Sequence, residues 1–141
     1  MDTIEQALKP ENMPVGNEGY LIAYAVAEDN LRAGNIVIAD SVNPIPITRD
    51  AWQDVAIRNN CKFFEIETIC SDKEDHKRRV ETRKADITGH KLPTWQEVID
   101  REYDDWKTKN LVIDTFIHTT EKSVEILVKE LSPLLNMPNA A

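Results

Sequence analysis

Three short runs rich in β-branched and aromatic residues, 36–40, 62–69 and 111–115, are separated by helix-forming stretches far longer than a hairpin turn. Strands joined in this way pair in parallel, because a parallel neighbour needs a long crossover whereas an antiparallel one needs only a tight loop. The order helix, strand, helix, strand, two helices, strand, helix therefore predicts an α/β chain with a parallel sheet and right-handed crossovers. The first run is apolar until its terminal Asp40, as expected of a strand covered on both faces. The second alternates Phe64 and Ile66 with Glu65 and Glu67.

The helices carry their own punctuation. Tyr20, Leu21, Ile22, Tyr24, Ala25, Val26 and Leu31 give 18–33 a broad apolar face, which predicts a well-buried helix ending at Gly34 in the left-handed conformation. Thr48 is the expected cap of a helix running to Asn59, with Ala51, Trp52, Val55 and Ala56 inward. Ser71 with Glu74 predicts a capping box for a helix over 72–84. Thr94 with Glu97 predicts another for 95–106, where Trp95, Val98, Ile99, Tyr103 and Trp106 recur at helical spacing and read as core. A last helix begins near Thr120 with Val124, Leu127, Val128 and Leu131 facing in, followed by a frayed tail at 136–141.

The chain's 141 residues suit one domain, 1–135, able to bury a core without covalent staples. A net charge of -8 argues against broad adhesion to nucleic acid or to an anionic membrane, while leaving room for a local basic patch that binds phosphate. No apolar stretch approaches a membrane span, and the first residues lack the basic start and apolar run of a signal peptide, so a cytoplasmic location is expected. Cys61 and Cys70 flank a strand too long for a disulfide to bridge and read as reduced thiols. His76, His90 and His118 have no metal-site spacing, so no metal ligands are assigned, and without a G-x-S-x-G motif nucleophilic hydrolysis has no support.

Ligands of open α/β sheets bind beyond the carboxyl ends of the strands, which places Asp40, Ser41 and Asn43 on the functional edge. Asp40 has two readings of equal weight there: a carboxylate for magnesium, acceptor or proton, or a side chain that caps its own turn. Arg79 and Arg83, four apart, share a helix face, with Arg78 adjacent and Arg101 on a neighbouring helix. Arginine forks suit phosphate oxygens. On spacing alone, however, this run reads first as a solvated face balanced by Glu74, Asp75 and Glu81. The segment 86–93, with Gly89 and no apolar periodicity, has the composition of a mobile lid.

Taken together, IVIADSVNP (36–44), ITRDAW (47–52), CSDKEDHKRRVETRKADI (70–87), LPTWQEVIDREYDDW (92–106) and LVIDT (111–115) resemble the P-loop kinase-like proteins often labelled AAA-family ATPases, akin to zeta-toxin-type and phage polynucleotide kinases. The resemblance runs over residues 2–131 and implies the C-terminal part of such a kinase, a three-layer α/β/α fold expected to miss its first two strands. It implies transfer of the γ-phosphoryl group of ATP, with Mg2+, to a hydroxyl of a small molecule or nucleotide. By the same resemblance, Asp40 is an active-site carboxylate and Arg79 and Arg83 are lid arginines on the ATP phosphates, helped by Arg78. Asp2 resembles the acidic residue that contacts or deprotonates the acceptor, and Ser41 and Asn43 lie on the acceptor side. The family begins with a strand, a G-x-x-x-x-G-K-[ST] loop, a helix and a second strand, and none of the 141 residues forms that loop. Its first strand lies between its third and fourth. The expectation is therefore a chain inactive by itself, with exposed sheet edges open to a partner or to self-association. A non-catalytic module for an anionic ligand or a protein partner is the alternative.

Overall fold

The structure is a computed structural model that describes residues 2–8, 17–109 and 111–135, with the backbone alone described at Asp2, Gln6, Leu8 and Leu135. The tail expected at 136–141 lies outside the described residues. Among the described residues there are six helices and one two-stranded parallel sheet, in the order α1 (Asp2–Leu8), α2 (Glu18–Arg32), α3 (Pro46–Ile57), β1 (Ile66–Ile69), α4 (Lys73–Thr82), α5 (Trp95–Ile99), β2 (Leu111–Asp114) and α6 (Thr120–Leu135). The chain is thus mixed α/β, and no described helix is long and apolar enough to cross a membrane. It divides into two units, the first made of 1–61, 84–92 and 101–103 and the second of 62–83, 93–100 and 104–141.

In the first unit α2 packs against α1 and α3. The buried side of α2 is a stripe of small residues, Gly19, Ala23 and Ala27, four apart and so on one helical face. The broad apolar face expected there is mostly not covered, since Leu21, Ile22 and Val26 are exposed. Small residues allow close approach of the helix axes, and a Cβ added at Gly19 would stand 2.8 Å from Glu5 Cγ of α1. Val55 and Ala56 are the buried apolar residues of α3, and Trp52 meets the Tyr24 ring edge-on with centroids 4.6 Å apart. Arg58, just past α3, donates from Nε and Nη2 to Glu28 of α2 at 2.9 and 2.7 Å.

Both long helices of this unit end by the same device. Gly34 adopts φ +82°, as its position predicted, with N–H bonds from Gly34 to Leu31 O and from Asn35 to Asn30 O closing the turn. Asn60 plays the glycine's part after α3, at φ 53°, with Asn60 N–H on Ile57 O and Cys61 N–H on Ala56 O.

Two further expectations fail in this unit. Residues 36–40 form no strand, and Ile36 and Ile38 are 78% and 90% exposed instead of covered on both faces. A β-branched run becomes a strand only when a neighbour completes its ladder, and none of the described strands pairs with it. The helix expected from Thr48 starts earlier, at Pro46, with Ile45 at the cap. Proline's fixed φ and missing N–H favour the first helical position, and Thr48, inside the first turn, donates its hydroxyl to Ile45 O at 2.8 Å.

In the second unit β1 and β2 pair in parallel with Ile66 opposite Leu111 and Ile69 opposite Asp114, as their long connection predicted. The ladder continues one residue at each end through Leu111 N–H to Glu65 O and Thr115 N–H to Ile69 O. Ile113 is buried, and the buried Glu67 is paired with Lys109 Nζ at 3.0 Å. The crossover carries α4 and α5, which pack together, with His76 edge-on to Trp95 at 5.3 Å.

The α5 capping box forms as expected, with Glu97 N–H on Thr94 Oγ1 and Thr94 N–H on Glu97. The helix stops at Ile99 and does not reach 106, so Arg101 and Tyr103 are not helical. The cap of α4 is also displaced by one residue. Asp72, not Ser71, accepts from Asp75 N–H at 2.7 Å, and α4 runs only from Lys73 to Thr82. In α6 Leu127 and Leu131 are half-buried while Val124 and Val128 are exposed.

The turn 41–45 of the first unit hangs on one buried cation. Arg49, 4% exposed, donates from Nε to Asn43 O at 2.8 Å and from Nη2 to Pro44 O at 3.0 Å, and its guanidinium lies 5.2 Å from the centre of the Tyr103 ring. Replacing Arg49 by Ala orphans both carbonyls and is expected to cost about 2–4 kcal/mol in urea unfolding. A loss below about 0.5 kcal/mol, the scale of an ordinary surface change, would show that water replaces the guanidinium without penalty.

Candidate functional site

The carboxyl ends of β1 and β2 are the place where this topology gathers chemistry. β1 leaves the sheet through Cys70 and Ser71 into the cap of α4, and β2 leaves it through Thr115 and Phe116 into a turn. Asp114, the last residue of β2, ties the two exits together. Its Oδ1 accepts from Ser71 N–H at 3.1 Å and from Phe116 N–H at 3.0 Å. The Ser71 side-chain hydrogen bond, with backbone N–H groups of Phe116, Ser71 and Ile117, holds the Asp114 carboxyl below the usual range against the opposing effect of desolvation. Thr115 adds its N–H and Oγ1 to Ile69 O at 2.8 and 2.9 Å.

A basic helix face meets this edge. Arg79, two turns into α4, donates from Nη2 to Thr115 O at 3.0 Å while remaining 44% exposed. Arg78 and Arg79 both pair with Asp75, one on each carboxylate oxygen. The hydrogen bond from Arg78, then the charge of both arginines, holds the Asp75 carboxyl below its usual range. Three and four residues are the helical spacings that bring side chains together, so one carboxylate gathers two neighbouring guanidiniums. Cys70 Sγ lies 3.9 Å from the other side of the cluster, at Asp75 Oδ2, and both cysteines are free thiols.

Arg83 is the C-cap of α4, in extended backbone conformation. Its side chain is exposed and makes no hydrogen bond or ion pair among the described residues. Arg78, Arg79 and Arg83 therefore belong to one short helix in the second unit, whereas Asp40, Ser41 and Asn43 belong to the first. Asp40 is exposed, with no side-chain partner among the described residues, so its carboxylate does not cap the turn. It stands at the rim of a groove of about 350 Å³ lined also by Ile4, Ala23, Ala27, Ile36, Ile38 and Trp52. The Trp52 Nε1–H is buried without an acceptor.

Ser41 donates its hydroxyl to Asn43 Oδ1 at 2.8 Å. Asn43 is buried, at φ 46°, with its carbonyl taken by Arg49. Ser41 Oγ and Asn43 Oδ1 are thus bonded to each other, and Asn43 O is bonded to Arg49. Asp2 begins α1, and its side chain lies outside the described residues. Among the described residues no group of three or more His, Cys, Asp and Glu is arranged to hold a metal ion.

Sequence reasoning passed over Asp114 and Asp75. The signal for Asp114 was present, since LVIDT ends a strand on Asp as IVIAD does. Asp75 was counted only as neutralising charge, and its convergence on two arginines needs the helix to be visible. No protein-family model, curated protein or solved structure matches the chain.

Asp114 makes stability depend on pH in a defined direction. Its folded pKa lies below the unfolded one, so its contribution is complete above about pH 4, the ordinary Asp value, and is lost as pH falls through the lowered folded value. In Asp114→Asn that part of the acid slope is expected to vanish, as read from urea midpoints across the acid range. Parallel curves for the two proteins would show that the carboxylate contributes nothing in its charged form.

Proposed function

We propose that this chain carries the acceptor and lid elements of a P-loop kinase-like phosphotransferase that moves the γ-phosphoryl group of ATP to a hydroxyl of a small molecule or nucleotide. Transfer then requires a glycine-rich phosphate loop with its Lys, which these 141 residues do not contain. The observation that carries this reading is Arg79: a half-exposed guanidinium anchored at the carboxyl end of a parallel strand pair, where α/β sheets take their ligands.

The residues present fit a polyphosphate in part. Arg79, Arg83 and Arg78 would offset charge on a transferred phosphoryl group through planar, charge-assisted donors. Asp40, exposed and without a side-chain partner among the described residues, would by the resemblance orient the acceptor or take its proton. Mg2+, when bound with ATP, supplies further neutralisation of the phosphates, and it is commonly held by one or two carboxylates together with the phosphate oxygens. Asp2, Ser41 and Asn43 remain acceptor-side assignments drawn from the resemblance alone.

The second reading, a non-catalytic interaction module, is favoured by the state of 36–40. A β-branched run with Ile36 and Ile38 exposed and no ladder partner among the described residues offers an edge to a protein partner or to a second copy of the chain.

The two readings separate in one series. The chain alone is expected to show neither transfer nor micromolar, magnesium-dependent binding of ATP by calorimetry, because arginines without a backbone nest supply charge but little preorganised geometry. Fusing a strand, phosphate loop, helix and strand from a P-loop kinase ahead of Met1 is expected to create ATP-dependent transfer. Arg83→Ala in that protein should lower turnover on the order of 10³-fold. Unchanged turnover with an intact fold would return Arg83 to a solvated face and remove the case for a lid.

A further inference from the structure

Asp75 occupies the position that an anion would take between Arg78 and Arg79. Each of its carboxylate oxygens receives one guanidinium, so the two arginines are already spaced to be bridged by a single small oxyanion. The carboxylate is 14% exposed, while the guanidiniums are 64% and 44% exposed. The shielded partner is therefore the internal anion, and the cations face solvent. Arg79 has a second anchor at Thr115 O, and Asp75 N–H is fixed by the Asp72 cap, so the cluster is held at both the helix start and the strand end.

We propose that Asp75 is a built-in competitor for a condensed-phosphate ligand at this edge: an incoming phosphoryl group must displace its carboxylate from Arg79 and share or take Arg78. This rests on the assignment of Arg79 to phosphate in the preceding subsection. Two like-charged anions cannot share the pair without mutual repulsion, so every ligand's affinity is the difference between its own hold on the arginines and that of Asp75. The exchange needs no change of fold, since Asp75 contributes to the α4 cap through its backbone N–H, which a side-chain substitution leaves in place.

The experiment is binding of inorganic pyrophosphate to the full chain by calorimetry at fixed ionic strength. Asp75→Asn, isosteric and uncharged, is expected to tighten binding about ten-fold, equivalent to 1.4 kcal/mol, and Arg79→Ala to abolish it. Asp75→Asn binding no tighter than wild type, with Arg79→Ala still lost, would overturn the competitor role and leave the phosphate assignment standing. Equal binding by wild type and Arg79→Ala would overturn both. Circular dichroism checks the fold of each variant. Should Asp75→Asn fail to fold, the Asp75 carboxyl of the wild-type chain is followed by NMR titration with and without saturating pyrophosphate. Its depressed pKa is expected to move upward as the arginines leave it, and an unmoved titration would overturn the proposal.

Discussion

The hydrogen bonds onto Asp114 are the constraint on which the second unit's arrangement depends. A two-stranded parallel pair has little ladder of its own, here four residues on each strand, and parallel pairing is the less stable kind. Its ends would fray if each strand simply ran into a loop. Asp114 prevents this by drawing the Ser71 N–H after β1 and the Phe116 N–H after β2 onto one carboxylate oxygen, while Thr115 returns two bonds to Ile69 O. The cap of α4 follows within two residues of Ser71, so the direction of that helix, and with it the placement of Arg79, is set from the same point. Hydrogen bonds to a charged carboxylate suit this task because they are stronger than neutral ones.

The first unit solves a similar problem with the opposite charge. The turn 41–45 includes Asn43 in the left-handed region, and no strand among the described residues pairs with it. Arg49, from the first turns of α3, fills that role through Asn43 O and Pro44 O. A buried arginine is costly unless every donor finds an acceptor or an aromatic face, and the Tyr103 ring supplies the latter. The turn is thus organised from the side of the helix that follows it. That is why residues 41–45 hold a defined conformation although the preceding run, 36–40, belongs to no sheet.

What was legible in the sequence was local or periodic. The capping box at Thr94 and Glu97, the left-handed Gly34, the start of α6 at Thr120 and the parallel relation of 66–69 to 111–114 all follow from residues close together or from connection length. What was not legible depended on competition. Ser71 and Asp72 are both good caps, and the choice between them is decided by where β1 lets go, at Ile69. The apolar spacing of 95–106 suggested a long helix, yet α5 ends after Ile99 in a stretch dense with acidic side chains, where helical periodicity alone has little to stabilise it. The run 36–40 shows the general limit most plainly. Strand propensity measures fit to a half-buried pleated surface, and without a described neighbour the same residues remain exposed.

The arginines of α4 carry the same lesson into the candidate site. Counting charges along 70–87 suggested a solvated face, and counting forks suggested a phosphate grip; what the structure shows is two arginines paired with one carboxylate of their own helix. Helical spacing delivers Arg78 and Arg79 to Asp75, so the cations are neither free in water nor directed at an empty pocket. A surface ion pair of this kind contributes little to stability, because solvent screens it and two long side chains must be ordered to form it. Its consequence lies elsewhere. It restricts two flexible guanidiniums to a shared geometry, which would lower the ordering cost for the proposed phosphate ligand, and it sets an anion in the way, which would raise the threshold for that ligand. Both effects come from one carboxylate three and four residues upstream, and under the proposed phosphate assignment their balance would set which anions the helix admits.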